Sequence, residues 1–472
     1  MSDLLHLSVC ELIDALESKA TSATELMDET LDAIDATQGT LNAFTSMYDV
    51  DSLRDAARTA DKRRARGEQR PLEGLPLGVK DLEDAAGLVT SKGSAAFRDN
   101  VAERDSVQVG RLRDAGAIVV GKTNSPEFGY TAITKNPLFG TTRNPWDLER
   151  TPGGSSGGSS AAIAGGVVAL ATASDGGGSI RIPASCVGCF GLKPSFGRVP
   201  EGPSAHWNID QTSVWGPLTR TVEDAALQLD LTCGPDPLDP FSLPHPGISY
   251  REKLSDLPVG LRIGFAPDLG YAVVQSDIAA VVEDAARVFE QLGHSLELVE
   301  GGPPEPGLDW SLLGALNHLS MLHPVIEERA EDFGRTYLRG IRAGTHMTPQ
   351  RWGHYRERRE QLNRWCADIF ERYDLLLTPT IPFDPPDARG PFPEEVEGRK
   401  QPPASIGSFT MPFNLSWHPA ATVRAGLSRA GMPVGLQIVA SRHRDDLVLQ
   451  AAAAFEAARP WHPQWPATPR SR

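Results

Sequence analysis

TPGGSSGGSSAAIAGGVVALATASDGGGSIR, Thr151 to Arg181, sets two clusters of glycine and serine on either side of an apolar, alanine-rich segment too regular to be a linker. The first cluster, Gly153 to Ser160, tolerates backbone conformations that a Cβ forbids. The second, Gly176-Gly177-Gly178-Ser179, presents consecutive N–H groups around one hydroxyl. A serine nucleophile needs backbone donors where a carbonyl oxygen becomes an oxyanion, and a base to take its proton. This stretch offers the donors and lacks the base. Its middle, Ile163 to Ser174, also carries a βα-type rhythm of helix, glycine turn and strand that recurs in VQVGRLRDAGAIVVGK, Val107 to Lys122, and near Leu261 to Phe265. That alternation predicts an α/β fold built on a mostly parallel or mixed sheet covered by helices on both faces.

The chain of 472 residues is long enough for about three domains, yet large α/β enzymes often keep this length around one sheet. With 46 basic against 61 acidic residues the net charge is −15, a field that repels phosphate backbones and anionic membranes, so no direct nucleic-acid partner is expected. No apolar run approaches the ~18 residues of a membrane helix, so no membrane span is expected. MSDLLHLSVCELIDALESKA lacks the basic flank of a secretory signal. Five scattered cysteines fit a reducing cytoplasm better than a disulfide framework.

Leu4, Leu7, Leu12, Leu16 and then Leu26, Leu31, Ile34 have helical spacing broken at Thr21-Ser22, which predicts two amphipathic helices with Ser22 or Thr24 capping the second. A short extended piece, Leu41 to Val50, and a charged helix, Leu53 to Gly67, follow. In LEGLPLGVKDLEDAAG, Leu72 to Gly87, the apolar run reads as a buried strand with Lys80 at its end. Desolvation there would lower the pKa of the amine and let it act as a base. Thr123 to Arg150 is long and turn-rich, a connection suited to lining a pocket.

Cys186 and Cys189 form a C-x-x-C, but Cys10, Cys233 and Cys366 supply no second ligand pair, so both read as small buried residues. WGPLTRTVEDAALQLDLTCG is a turn followed by a helix with Thr221 and Asp224 near its start. A proline-rich break spans Gly234 to Gly247, and residues 260 to 375 are helix-rich, with helices at Asp277 to Leu292 and Thr348 to Tyr373. His318 and His323 lie five apart, which favours core or surface histidines over zinc ligands, and no metal site is expected. Leu375 to Pro379 reads as a strand, Ser408 to Ala440 as a loop with two strand-like runs, and Asp445 to Ala458 as a final helix.

Taken together, Lys80 in GLPLGVKD, the GGSSGGSSAA cluster and DGGGSIR resemble the amidase signature family. TRNPWDLERTPGGSSGGS, GLKPSFGRVP, GPLTRTVEDAAL, LLLTPTIP and MPVGLQIVA look like further blocks of that family, covering most of residues 70 to 235 and 370 to 440. The resemblance implies a single large domain with a central mixed sheet. Residues 1–60 would be N-terminal helices packing on it, 61–460 the signature domain, and about 240–370 a helix-rich, less similar segment. It makes Ser179 the nucleophile, Ser155 a bridging serine in a cis peptide and Lys80 the base. The backbone N–H groups of Gly176, Gly177, Gly178 and Ser179 would be the oxyanion donors, with Ser156, Asp175 and Arg181 in support. Phe128, Trp207, Trp215, Asn414 and Trp417 would shape the substrate pocket, and no cofactor is implied.

The roles also make chemical sense: a neutral lysine can take a proton from Ser155, which takes one from Ser179, so no histidine is needed. Two positions depart from the family pattern. Gly176 stands where Thr or Ile is common, which would open space beside the nucleophile, and Trp417 stands where a small residue is commoner. A P-loop is excluded because no lysine follows the cluster, and an α/β-hydrolase elbow because Ser179 sits in G-G-S-I-R.

The expected function is hydrolysis of a small-molecule aryl or alkyl amide, or by the same chemistry an ester or carbamate. The alternative is the glutaminase subunit of an amidotransferase acting on charged transfer RNA. Tryptophans 207, 215 and 417 lean toward a bulkier apolar substrate than glutamine, and a homo-oligomer stays open.

Overall fold

Short aliphatic and β-branched runs, punctuated by glycine and proline, form eleven strands of one mixed sheet among the residues that the computed structural model describes, 3–202, 211–305, 307–461 and 464–468. They are β1 Phe44–Met47, β2 Pro76–Lys80, β3 Ile118–Thr123, β4 Leu170–Asp175, β5 Phe190–Lys193, β6 Val214–Thr219, β7 Arg262–Phe265, β8 Ser295–Leu298, β9 Leu375–Pro379, β10 Ala420–Leu427 and β11 Pro433–Ala440. Their order across the sheet is β1-β3-β2-β4-β6-β5-β10-β11-β9-β7-β8. β2 runs parallel to β3 and β4, as β7 does to β8 and β9, and the remaining pairs are antiparallel. Helices flank this sheet in a single domain. The two parallel steps of β2, β3 and β4 use the helices Val107–Asp114 and Gly157–Ala164 as crossovers, which is why the sequence alternates there. β2, β4 and β6 are thereby neighbours, and the loops at their ends converge.

Ser22, rather than Thr24, caps the second helix, Ala23–Leu41: its hydroxyl accepts the Glu25 N–H at 3.1 Å while the Glu25 carboxylate accepts the Ser22 N–H at 2.9 Å. Thr24 instead donates its hydroxyl to Asp61 at 2.6 Å. The next helix, Val50–Ala65, starts ahead of Leu53 because Asp49 accepts the Ser52 N–H and caps it. Leu12, Leu26 and Leu53 of these helices share one core with Leu77, Val120 and Ile163.

The helix expected over Asp277 to Leu292 is two, Ser276–Ala286 and Val288–Gln291. A short helix, Met411–Leu415, precedes β10 where only loop was expected. Its sequence, MPFNL, is too short for a 3.6-residue period to stand out, and its proline sits in the first turn, where a missing N–H costs nothing. Among the described residues no helix is long and apolar enough to cross a membrane.

Candidate active site

The candidate base that the glycine-serine stretch lacks comes from the end of β2. All five residues of that strand are buried, and pairing with β3 and β4 carries the last of them, Lys80, into the interior at 0% exposure. Its backbone N–H donates to the Thr172 hydroxyl of β4 at 3.0 Å. Its Nζ lies 2.8 Å from Ser155 Oγ, 2.8 Å from Ser156 Oγ and 2.9 Å from Ser174 Oγ, and 3.3 Å from the Ser174 carbonyl. Burial pushes the amine down to about 7, against the weaker opposing attraction of Asp175 and Glu83. Near neutrality a large fraction is therefore uncharged, with a lone pair available to a serine hydroxyl.

Ser155 follows a cis peptide bond at Gly154 and stands just ahead of the helix Gly157–Ala164. Glycine is required at 154, where a Cβ would come within 2.8 Å of the Thr131 carbonyl oxygen. β4 ends at Asp175, and the Gly176–Gly178 turn delivers Ser179 in front of the helix Arg181–Val187. The Ser156 N–H donates to the Ser179 carbonyl at 3.3 Å, joining the two serine clusters.

The buried Asp175 carboxylate organises that turn. It accepts the N–H groups of Gly178 at 2.7 Å and Ile180 at 3.1 Å, Arg181 Nε at 3.0 Å and Nη2 at 2.9 Å, and Asn414 Nδ2 at 2.9 Å. Burial alone would raise its pKa; the Arg181 charge and these hydrogen bonds outweigh burial and hold it well below the usual carboxylate range. Arg181 also donates to the Thr410 carbonyl at 2.9 Å, Gln437 Oε1 at 2.7 Å and Asn414 Oδ1 at 2.5 Å. Thr410 donates its hydroxyl to the Gly177 carbonyl at 2.7 Å, so that N–H and C=O groups around the turn are held from both sides.

A cavity of about 320 Å³ opens onto Ser155, Ser174, Gly176, Gly177 and Ser179. Phe128, from the long turn-rich connection, forms one wall: its ring stacks on Tyr337 at 5.0 Å and on Phe333 at 6.0 Å. Trp215 of β6 lines it as well. Trp310 and His318, from the helix Gly307–Arg329 inside the helix-rich segment, line it too.

The Amidase family model matches residues 25–449, a span that contains Lys80, the glycine-serine turn after β4 and the sheet that aligns them. The chain belongs to the Amidase family. It is 37% identical to an acylamidase of Rhodococcus erythropolis, covering 98% of each chain. It is 34% identical to the A subunit of a glutamyl-tRNA(Gln) amidotransferase from Geotalea daltonii, covering 98% of this chain and 99% of that one. Its structure matches that of a bacterial aryl acylamidase of the amidase signature enzymes with a TM-score of 0.91 at 32% identity, covering 98% of each.

In this amidase several expected positions take other places. The Gly178 N–H, expected among the oxyanion donors, donates to the Asp175 carboxylate at 2.7 Å. The space expected beside Gly176 is occupied, because a Cβ there would meet Ser213 Oγ at 2.8 Å. Asn414 does not line the cavity; buried behind it, it binds Asp175 and Arg181. Trp417 is also outside the lining: it stacks on Phe196 at 4.9 Å and donates its indole N–H to the Gln211 carbonyl at 2.7 Å. Trp207 lies outside the described residues.

Ser156, expected in a supporting role, has its hydroxyl 2.8 Å from the Lys80 amine. Ser174, Thr410 and Gln437 escaped the sequence reading. Ser174 carries the one available signal, its place immediately before DGGGS. Cys186 and Cys189 are buried free thiols, both pushed up by desolvation, Cys189 to about 12. Among the described residues no group of His, Cys, Asp and Glu could hold a metal ion.

Proposed function

We propose that this amidase hydrolyses aryl or bulky alkyl amides through an acyl-enzyme on Ser179, with Ser155 and Lys80 relaying the proton. The observation that carries the reading is the 2.8 Å contact of a buried Lys80 amine, pushed down to about 7, with Ser155, which lines the same cavity as Ser179. Ser179 Oγ attacks the carbonyl carbon, passing its proton to Ser155 as Ser155 passes its own to Lys80. The carbonyl oxygen becomes an oxyanion facing the N–H groups of Gly176, Gly177 and Ser179. The protonated Lys80 then returns its proton through Ser155 to the leaving nitrogen, and the C–N bond breaks. Water attacks the ester with the relay reversed, releasing the acid and restoring both hydroxyls.

The aromatic wall of Phe128, Trp215 and Trp310 supports a ring or long apolar chain in the cavity, whose ~320 Å³ suits a single small molecule. The names of the acylamidase relatives agree with this reading. Five buried, unpaired cysteines support a cytoplasmic setting. The test is turnover by the isolated chain of a panel of primary amides, anilides, esters and carbamates, with ammonia or amine release measured, beside Ser179→Ala. Anilide cleavage that vanishes in the variant is expected; a wild-type chain inert on the whole panel overturns the proposal.

The amidotransferase relative keeps a second reading in view, a glutaminase working within a complex. It predicts glutamine hydrolysis dependent on co-purifying subunits.

A further inference from the structure

His318 lines the cavity at 4% exposure and takes no part in the relay. The helix Gly307–Arg329 carries it inward, where three aromatic rings surround its imidazole: Phe128 at 6.2 Å, Tyr130 at 5.5 Å and Tyr337 at 6.0 Å between ring centroids. Its two ring nitrogens have different surroundings. Nδ1 lies 2.8 Å from the Tyr337 hydroxyl, and Tyr337 is outside the cavity lining. Nε2 has no hydrogen-bond partner among the described residues, and it is not among the polar atoms sealed within the protein. Nε2 is therefore the polar atom that His318 presents to the cavity.

Tyr337 decides which nitrogen carries the proton. Burial pushes the imidazole down to about 4, with the Lys92 charge adding to the fall, so near neutrality the ring is uncharged and holds a single N–H. Burial also raises the Tyr337 hydroxyl well above the usual phenol range, which keeps its hydrogen in place. That hydroxyl belongs to a residue 6% exposed, and His318 Nδ1 is its one hydrogen-bond partner among the described residues. Were Nδ1 protonated, it would donate to the Tyr337 oxygen and leave the hydrogen of the hydroxyl unmet in the interior, at a cost in stability. With the hydroxyl donating to Nδ1 instead, both groups are satisfied and the ring proton sits on Nε2. The cavity thus contains a fixed N–H donor for which the described residues supply no acceptor.

We infer, building on the amide-hydrolase reading, that His318 Nε2–H is a specificity donor for a substrate carrying a carbonyl or ether oxygen away from its scissile amide. A substrate oxygen at that place satisfies the donor, whereas a hydrocarbon of the same shape covers it without return. A site built around a buried polar group refuses the analogue that lacks the matching group more strongly than an apolar site refuses a small misfit.

The experiment measures kcat/KM for two pairs of anilides, one with the group on the ring and one with it at the end of the acyl chain, each pair comparing a methyl ketone with its isosteric isopropenyl hydrocarbon. Taking the ratio of wild type to variant cancels the electronic effect of the substituent. Wild type should prefer the ketone in at least one pair. His318→Phe should reduce that preference about tenfold, chiefly through KM, and His318→Gln, which returns an N–H, should recover part of it. Nitrogen NMR of histidine-labelled protein, with the His318 signals identified by their loss in His318→Phe, should show Nε2 protonated and Nδ1 bare near neutral pH. A wild type with no preference in either pair, a His318→Phe that lowers both members of each pair in parallel, or a protonated Nδ1 overturns the inference and leaves the hydrolase reading standing. If wild type turns over no anilide or amide, the hydrolase reading fails, and calorimetric binding of the same pairs to wild type and His318→Phe decides the donor by itself: equal affinities within each pair overturn it, and a ketone preference lost in the variant upholds it.

Discussion

Lys80 Nζ and Ser155 Oγ lie 2.8 Å apart across 75 residues of chain, and the amine at that contact is held near 7 by burial. A relay through a neutral amine must fail when the amine is protonated. We expect kcat/KM for an amide to rise with pH through about 7 and level off above it, where the base form predominates. Lys80→Ala should lose about 10³-fold or more with folding intact by circular dichroism, and Ser155→Ala a comparable amount. Near wild-type turnover by Lys80→Ala would remove the relay.

A second buried lysine provides the contrast. Lys193 is also pushed down to about 7, by burial and then by the Arg181 charge, yet its Nζ donates to the Pro194 carbonyl at 2.9 Å and is outside the cavity lining. Lys193→Met should keep turnover within about threefold, since an exchange of similar volume leaves the relay in place. Its effect belongs to stability. With a folded pKa near 7 against 10.5 for a free lysine, the unfolded chain binds more protons in between, so stability rises with pH across that window. Removing Lys193 should flatten that slope by up to ~1.4 kcal/mol per pH unit and stabilise the protein near neutrality, as read from urea unfolding at about pH 7 and 8.5.

Asp175 and Arg181, both at 0% exposure and 2.9 Å apart, form the pair on which the oxyanion turn rests. Arg181→Met leaves a buried carboxylate without its cation and should cost ~3–5 kcal/mol of stability. Asn414→Leu removes two donors to Asp175, to its carbonyl at 2.8 Å and its carboxylate at 2.9 Å, and should cost ~1–3 kcal/mol. Because this frame positions the proposed transition-state donors, kcat should fall in Asn414→Leu more than KM rises. Steady-state kinetics at a temperature below both unfolding transitions separates the two effects.

Phe128 stacks on Tyr337 with ring centroids 5.0 Å apart, and Tyr337 shares a 2.8 Å hydrogen bond with His318. Phe128→Leu keeps an apolar wall without the stacked face. It should raise KM for an anilide about tenfold while changing KM for a short aliphatic amide little. Equal effects on the two substrates would remove the aromatic wall from substrate recognition.

Much of the fold was legible because the signals are local. The alternation of helix and strand between residues 107 and 175, the Ser22 and Thr221 caps, β9 at Leu375–Pro379 and the last helix, Asp445–Ala458, each rest on side-chain periodicity or on a hydrogen bond spanning three residues. Lys80, Ser155 and Ser179 were legible through their surrounding motifs. Phe128 and Trp215 line the cavity, whereas Asn414 and Trp417 do not, because whether a side chain faces a cavity or the frame behind it depends on strands brought together from far along the chain. The helix-rich segment was silent about its role for the same reason: Trp310 and His318 reach the site only once that segment has packed.

By itself, then, the sequence determined the family and which secondary structures carry its motifs, since propensity, capping and motif spacing act within a few residues. Tertiary structure alone decided which hydroxyls touch the buried amine, which N–H of the glycine run Asp175 takes, and what walls the cavity. Those contacts span from 3 residues, Gly178 to Asp175, to 239, Asn414 to Asp175, and even the shortest depends on the rotamer of a carboxylate that Arg181 and Asn414 hold in place.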